Sequence, residues 1–323
     1  MIKSPMDYLF HSIFIWSFPP SQSLLPLSHM ASTTKEVEKW FLPFIRMCKD
    51  GSVERLVGSP NVPPSPNDPE TGVTSKDITI SQDPSISARL YLPSLNQTHL
   101  PKLPILVYFH GGGFCLESAF SFNHQRCLNS LVAQAQVVAV SVEYRLALEH
   151  LLPLAYEDCW AALQWVALHS LNNGLNKEPW LMNHGDFNRI FIGGDSAGAN
   201  IVHNIAMRVG VESLHGGGQS LVQDMNSTYP RAAGAIDNPM INPMSPGALS
   251  LAGLGCSRVL VAVAEKDELR DRGVSYYEEL RKSTWEGQVE LVQGDGDHGF
   301  HILHFESENA KHLIKHLASF LLK

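Results

Sequence analysis

Arg189-Ile190-Phe191-Ile192-Gly193-Gly194-Asp195-Ser196-Ala197-Gly198-Ala199-Asn200-Ile201 is the most informative segment of the chain. Arg189–Gly193 reads as a short apolar strand and Ala197–Val209 as a helix, with the sequence G-x-S-x-G at the join. A match to that pattern alone is weak, because a glycine-rich turn can carry an incidental serine. The context makes it stronger. A strand, a turn of small residues and a helix are what a sharp elbow needs to leave a serine oxygen exposed at a strand end. The helix start also brings backbone N–H groups, and the positive end of the helix dipole, beside that oxygen.

Working outward, strands alternate with helical stretches on both sides. Asp77–Ser81 and Ile86–Leu92 read as half-buried strands, and Leu103–Phe109 is a continuous apolar run, as expected for a strand buried on both faces. Val137–Val142 reads as a strand and Leu154–His169 as a helix. After the elbow come Arg258–Ala264 as strand, Asp271–Thr284 as helix, Gln288–Gln293 as strand and Glu306–Leu322 as helix. This alternation predicts an α/β fold with a mostly parallel central sheet flanked by helices. Glu36–Cys48 has apolar residues at a helical period, which predicts an N-terminal helix contributing to a lid. No internal repeat is visible.

His110-Gly111-Gly112-Gly113-Phe114 follows the buried run directly. Glycines let main-chain N–H groups approach a substrate oxygen with no Cβ in the way. Such donors stabilise a tetrahedral oxyanion, and each typically contributes about 2.7–4 kcal/mol to the transition state. A phosphate-binding loop is the competing reading, but neither G-x-x-x-x-G-K-[ST] nor G-x-G-x-x-G is present. An acid and a histidine should then follow the serine in that order. Asp267 lies just past the strand Arg258–Ala264, and His298 just past Gln288–Gln293, both at the strand ends where open α/β sheets place their sites. Asp267 could instead be a helix cap with Asp271 as the acid, and His301 or His304 could replace His298. The candidate set is therefore Ser196, Asp267 and His298, with Gly112, Gly113 and Ala197 as oxyanion donors and His110, Gly111, Gly194, Asp195 and Gly198 shaping the two motifs. The chemistry they suit is two-step ester hydrolysis through an acyl-enzyme. It requires no metal and no organic cofactor.

Composition bounds the rest. The 323 residues are 44% apolar, with Lys plus Arg 24 against Asp plus Glu 32 and a net charge of −8. No basic run occurs, which argues against nucleic acid as a partner. No stretch of eighteen apolar residues occurs, which argues against a membrane-spanning helix. Five cysteines without a C-x-x-C spacing suit neither a disulfide framework nor a zinc site, and point to a reducing, cytoplasmic setting. Met1–His29 differs in character: Tyr8–Phe18 is apolar but broken by His11, Ser12 and Ser17. It reads as a weak signal peptide, an appended tail or a translated leader, and Met30 is the expected biological start. Residues 30–323 then form one domain, and the oligomeric state cannot be read.

Taken together, KDGSVERL at Lys49–Leu56, HGGGF, EYRLALEH at Glu143–His150, AYEDCWAALQW at Ala155–Trp165, GDSAGANI and AEKDELRDRG at Ala264–Gly273 resemble the plant carboxylesterases of the hormone-sensitive-lipase-like α/β-hydrolase group. The resemblance runs from about Met30 to the C-terminus. ESAFSF at Glu117–Phe122 and IDNPMINP at Ile236–Pro243 are similar to the legume branch that includes 2-hydroxyisoflavanone dehydratases. The resemblance implies an α/β-hydrolase fold and a small-molecule substrate, an apolar ester or a flavonoid-like compound. Isoflavone-specific members of that branch tend to carry Thr at the nucleophile and a small non-Gly residue in HGG. Ser196 and Gly113 therefore favour the esterase side, with water elimination as the alternative. A binding-only homologue is a third reading. Gibberellin receptors share the fold but lack the catalytic histidine, which His298 supplies here.

Two departures from the family stand out. Leu148 replaces a loop proline, with a small expected effect. Between Val209 and Asp237, relatives place a hydrophobic core strand ending in a P-x-F-W-G phrase and part of the lid, where this chain has Gly216–Ala235. A missing central strand would leave its neighbours with unpaired backbone groups. The chain then folds poorly, or a substitute strand forms around Ser220–Met225.

Overall fold

The structure, a computed structural model, describes residues 35–41, 44–95, 102–171, 177–212 and 238–323. The expectations about Met1–His29, the start at Met30 and a substitute strand at Ser220–Met225 fall outside the described residues.

The core is built around β6 (Leu103–Phe109), all of whose residues are buried. Successive side chains of a strand point to opposite faces. Ile105, Val107 and Phe109 accordingly join one apolar cluster, with Val138, Val140 and Val142, while Leu106, Tyr108 and Ala139 join another. Burial on both faces is why this run has no polar alternation. β7 (Val138–Glu143) and β8 (Gly185–Gly194) flank β6 in parallel. β5 (Ser85–Leu92) continues the sheet antiparallel to β7, and β4 (Thr74–Gln82) pairs antiparallel with β5, in the order β4-β5-β7-β6-β8. One face is covered by α2 (Leu154–Leu168) and α4 (Ala197–Val209). The other is covered by α1 (Phe122–Ala135) and α7 (Glu308–Leu322).

β9 (Arg258–Ala264) and β10 (Gln288–Gly294) form a separate two-stranded parallel ladder with α5 (Arg270–Lys282) between them in sequence. Among the described residues no strand joins β8 to β9. β8 is half-buried along most of its length, unlike β6 and β7, which fits an edge rather than a centre. The two sheets are held together in part by the C-terminus of α7. Arg189 of β8 donates to the carbonyls of Leu321 and Leu322 at 3.3 and 3.2 Å. Arg258 of β9 donates to that of Phe320 at 3.4 Å and lies over the Phe320 ring. Cations there also complement the negative end of the helix dipole.

Several expectations need correction. The helix predicted over Glu36–Cys48 is instead β1 (Val37–Phe41) and β2 (Ile45–Cys48), which with β3 (Val53–Arg55) make a three-stranded antiparallel sheet. There is thus no N-terminal helical contribution from this segment. The Asp50-Gly51 pair is the overlooked signal: Gly51 sits at φ 81 in the tight turn between β2 and β3, where only glycine is relaxed. α1 was not foreseen, because its buried face carries His124, Gln125 and Asn129 and so breaks the apolar stripe. The short α3 (Pro179–His184) and α6 (Phe300–Leu303) were also not foreseen. Leu148 has φ 62, a value that the fixed ring of proline cannot adopt.

Candidate active site

Ser196 sits between the end of β8 and the start of α4, at φ 53 and ψ −116. That region is costly for a residue with a Cβ and persists only where the surroundings enforce it. Here the enforcement is packing. A Cβ on Gly198 would collide with the carbonyl of Phe109, and one on Gly194 with both that carbonyl and the backbone of Gly198. The glycines therefore let α4 start against the end of β6, and the serine is pushed out of the turn.

His298 follows β10 and Asp267 follows β9, so both rise from carboxyl ends of the two-stranded ladder, as Ser196 does from the carboxyl end of β8. The Nε2 of His298 lies 2.8 Å from the Ser196 Oγ, and its Nδ1 lies 2.7 Å from Asp267 Oδ2. The other carboxylate oxygen of Asp267 accepts from the Leu269 amide at 2.8 Å. Asp267 thus satisfies both sequence readings at once, one oxygen shaping the turn before α5 and the other holding the imidazole. Asp271 is exposed and pairs with Arg270. Burial disfavours the charged imidazole of His298, but the Asp267 hydrogen bond and the charges of Asp267 and Asp195 outweigh it and raise its pKa above the usual value. Burial likewise opposes the Asp267 carboxylate, and the His298 bond outweighs it and lowers that pKa.

The His110–Phe114 loop curls tightly, with Gly112 at φ 98, Gly113 at φ 61 and Phe114 at φ 64. The Gly112 carbonyl accepts from the Cys115 and Leu116 amides, which closes the turn. The Gly111 N–H donates to Asp195 Oδ1 at 3.0 Å. That amide is committed to the framework, whereas the N–H groups of Gly112, Gly113 and Ala197 have no protein acceptor among the described residues. His110 donates from Nδ1 to the Gly111 carbonyl and stacks on Tyr144, whose hydroxyl donates to the His110 carbonyl at 2.7 Å. Burial pushes the His110 pKa down to about 4, so the ring is neutral.

The sequence reading did not anticipate the outer parts. Arg55 of β3 donates to the carbonyls of Cys115 and Ala147 and makes a two-pronged pair with Glu149. It thereby clamps the N-terminal sheet to the glycine loop. Tyr108 and His124 contact Asp195, and Glu117 contacts His124 from the far side of its ring. Their signal was present, since a carboxylate is the variable residue of the G-x-S-x-G motif and needs buried partners. Of the aromatic residues near the loop, Phe114 is buried in the core beside Tyr156, Phe120 lies under Arg89 and Phe122 is largely exposed.

Comparison with known proteins identifies the fold family. A family model described as the alpha/beta hydrolase fold matches residues 106–232 and 218–302, two pieces that overlap between 218 and 232. A 2-hydroxyisoflavanone dehydratase of Glycyrrhiza echinata is 54% identical over 91% of this chain and 99% of its own. A probable carboxylesterase 13 of Arabidopsis thaliana is 40% identical over 88% of this chain and 98% of its own. Among solved structures, an esterase of Pyrobaculum calidifontis superposes with a TM-score of 0.57 at 27% identity, covering 77% of this chain and 84% of that one.

Proposed function

This chain belongs to the α/β-hydrolase fold family, in the plant carboxylesterase group close to the 2-hydroxyisoflavanone dehydratase branch, and we propose that it is a carboxylic ester hydrolase using Ser196, His298 and Asp267. The observation that carries this reading is the unbroken run of 2.7 and 2.8 Å contacts from Asp267 through His298 to a serine held at φ 53. His298 Nε2 takes the Ser196 proton as Oγ attacks the ester carbonyl. Asp267 keeps the Nδ1–H tautomer and stabilises the imidazolium. The developing oxyanion is received by the N–H groups of Gly112, Gly113 and Ala197. His298 returns its proton to the leaving alcohol, and water, activated by the same imidazole, releases the acid from the acyl-enzyme. The substrate class is small to medium apolar esters. The setting we infer is cytoplasmic. It is supported by five cysteines that are all free thiols.

A second reading is favoured by the 54% identity to a protein named for dehydration. In it His298 removes a carbon-bound proton next to a carbonyl whose oxygen rests on the same three amides. His298 then passes that proton to the β-hydroxyl, which leaves as water as the double bond forms, with no acyl-enzyme. The two readings separate on one variant. Wild type hydrolyses p-nitrophenyl butyrate, and Ser196→Ala loses this by roughly 10⁴-fold or more. Retention of ester hydrolysis by a folded Ser196→Ala overturns the first reading. Turnover of 2-hydroxyisoflavanone that survives Ser196→Ala assigns elimination to the site.

A further inference from the structure

Asp195, the residue before the nucleophile, is buried, and its carboxylate is the hub of a network the reaction itself does not use. Oδ1 accepts from Tyr108 Oη at 2.7 Å and from the Gly111 N–H at 3.0 Å. A buried carboxylate is unfavourable unless paired and hydrogen-bonded. Among the described residues the side chain within ion-pair range is His124 of α1, whose Nε2 lies 3.4 Å from Oδ1. The opposite ring nitrogen of His124 faces Ser121 Oγ at 3.0 Å and Glu117 Oε2 at 3.6 Å.

The charges around the ring set its state. Its Nδ1 side faces the Glu117 carboxylate, which already receives the Ser59 amide and hydroxyl. Its Nε2 side faces the Asp195 carboxylate at 3.4 Å, an ion-pair distance with no aligned hydrogen bond between them. A positive charge on a buried ring held between two carboxylates offsets both. We propose that His124 is an imidazolium that acts as a positioning residue: wedged between Asp195 and Glu117, it keeps Asp195 ionised and so holds the Gly111–Gly113 loop in register with Ser196. Glu117 extends the same tie, through Ser59, to the segment that leads from β3. The inference rests on the hydrolase reading only for its kinetic consequences, since the charge state can be measured without turnover.

The balance of burial and charge favours the same state. Burial disfavours the charged ring, but the charge of Asp195 and its contacts with Asp195 and Glu117 raise its pKa to about 9. The groups facing it are Tyr108 and His110 from the end of β6, Glu117 from the following loop, Glu143 from the end of β7, Asp195, and His301 from α6. His110 and His301 are both pushed down and stay neutral near pH 7, so they do not compete for the proton. Raising pH through about 9 removes the His124 proton and leaves Asp195 without a counter-charge. The loop is then held by two neutral donors alone.

The test uses the full chain labelled with ¹⁵N-histidine. At pH 8 ordinary surface imidazoles are neutral. The expected spectrum contains a ring with both nitrogens protonated that titrates near pH 9, disappears in His124→Gln, and shifts to lower pH in Glu117→Gln. The same His124→Gln enzyme, assayed with p-nitrophenyl butyrate, shows kcat lowered by roughly 10²-fold, KM changed much less, and no alkaline limb near pH 9. A role limited to stability would scale activity at every pH and leave that limb in place. If His124→Gln does not fold, the wild-type and Glu117→Gln titrations still decide. A His124 ring that is neutral at pH 8, or a folded His124→Gln enzyme with wild-type kcat and an unchanged alkaline limb, overturns the proposal. Failure of wild type to turn over the ester would count against the hydrolase reading and leave the titration result standing.

Discussion

The β6–β7–β8 sheet and the β9–β10 ladder each supply part of one candidate site, but by different means. β6 and β7 are buried on both faces and packed between helix pairs. β9 and β10 are half-exposed, and among the described residues neither pairs with β8. Ser196 comes from the first region, Asp267 and His298 from the second. In the first region backbone packing imposes the geometry, since Ser196 keeps a strained φ because Gly194 and Gly198 press against Phe109. In the second, placement depends on side-chain hydrogen bonds, on arginine contacts to the end of α7, and on a small cluster of Ala206, Met207, Leu251, Leu254 and Leu280. A rigid half presents the nucleophile, and a more loosely held half brings it the base.

The largest effect expected from breaking this contrast is at Gly198. Gly198→Ala sets a methyl group against the Phe109 carbonyl and should destabilise the protein by about 4 kcal/mol or more, read as a shift in urea midpoint or as loss of soluble protein. Asp267→Asn should act in the opposite manner. The new amide oxygen can still accept from Leu269, so melting temperature should hardly change, while kcat falls by roughly 10³- to 10⁴-fold. The pH profile refines this. His298 must be neutral to accept the Ser196 proton, and its pKa is raised, so wild-type kcat/KM should fall as pH drops through a value above the usual histidine range. In Asp267→Asn the supporting charge is gone, and the residual activity should extend to lower pH.

A smaller effect is expected where the halves are joined. Arg189→Ala with Arg258→Ala removes the hydrogen bonds to Leu321, Leu322 and Phe320 and should cost about 1–3 kcal/mol. Hydrogen exchange should then accelerate in β9 and β10 and remain slow in β6 and β7. Equal acceleration in both would show that they unfold as one unit.

The legible parts of the sequence were those where one physical signal dominates. Leu103–Phe109, Ala197–Val209 and Arg258–Ala264 fall within the boundaries read from apolar runs and periodicity. The two motifs and the acid and histidine that follow them were legible because each lies at the carboxyl end of a strand, and the structure brings Ser196, His298 and Asp267 within hydrogen-bond range. Less legible were segments that answer to two signals. Glu36–Cys48 has helical spacing, yet a turn with Gly51 at positive φ and the anchoring of Arg55 favour strands. α1 was hidden because His124, Gln125 and Asn129 face inward to serve a polar network that no local pattern announces.

The most direct test of the central claim is covalent trapping of the nucleophile. The folded chain is treated with a p-nitrophenyl phosphonate, digested, and mapped by mass spectrometry beside Ser196→Ala and His298→Asn. The expected result is a single phosphonyl adduct on Ser196, absent from Ser196→Ala and formed far more slowly in His298→Asn. Folded wild-type protein that releases no p-nitrophenol, or an adduct that persists in Ser196→Ala, would contradict it.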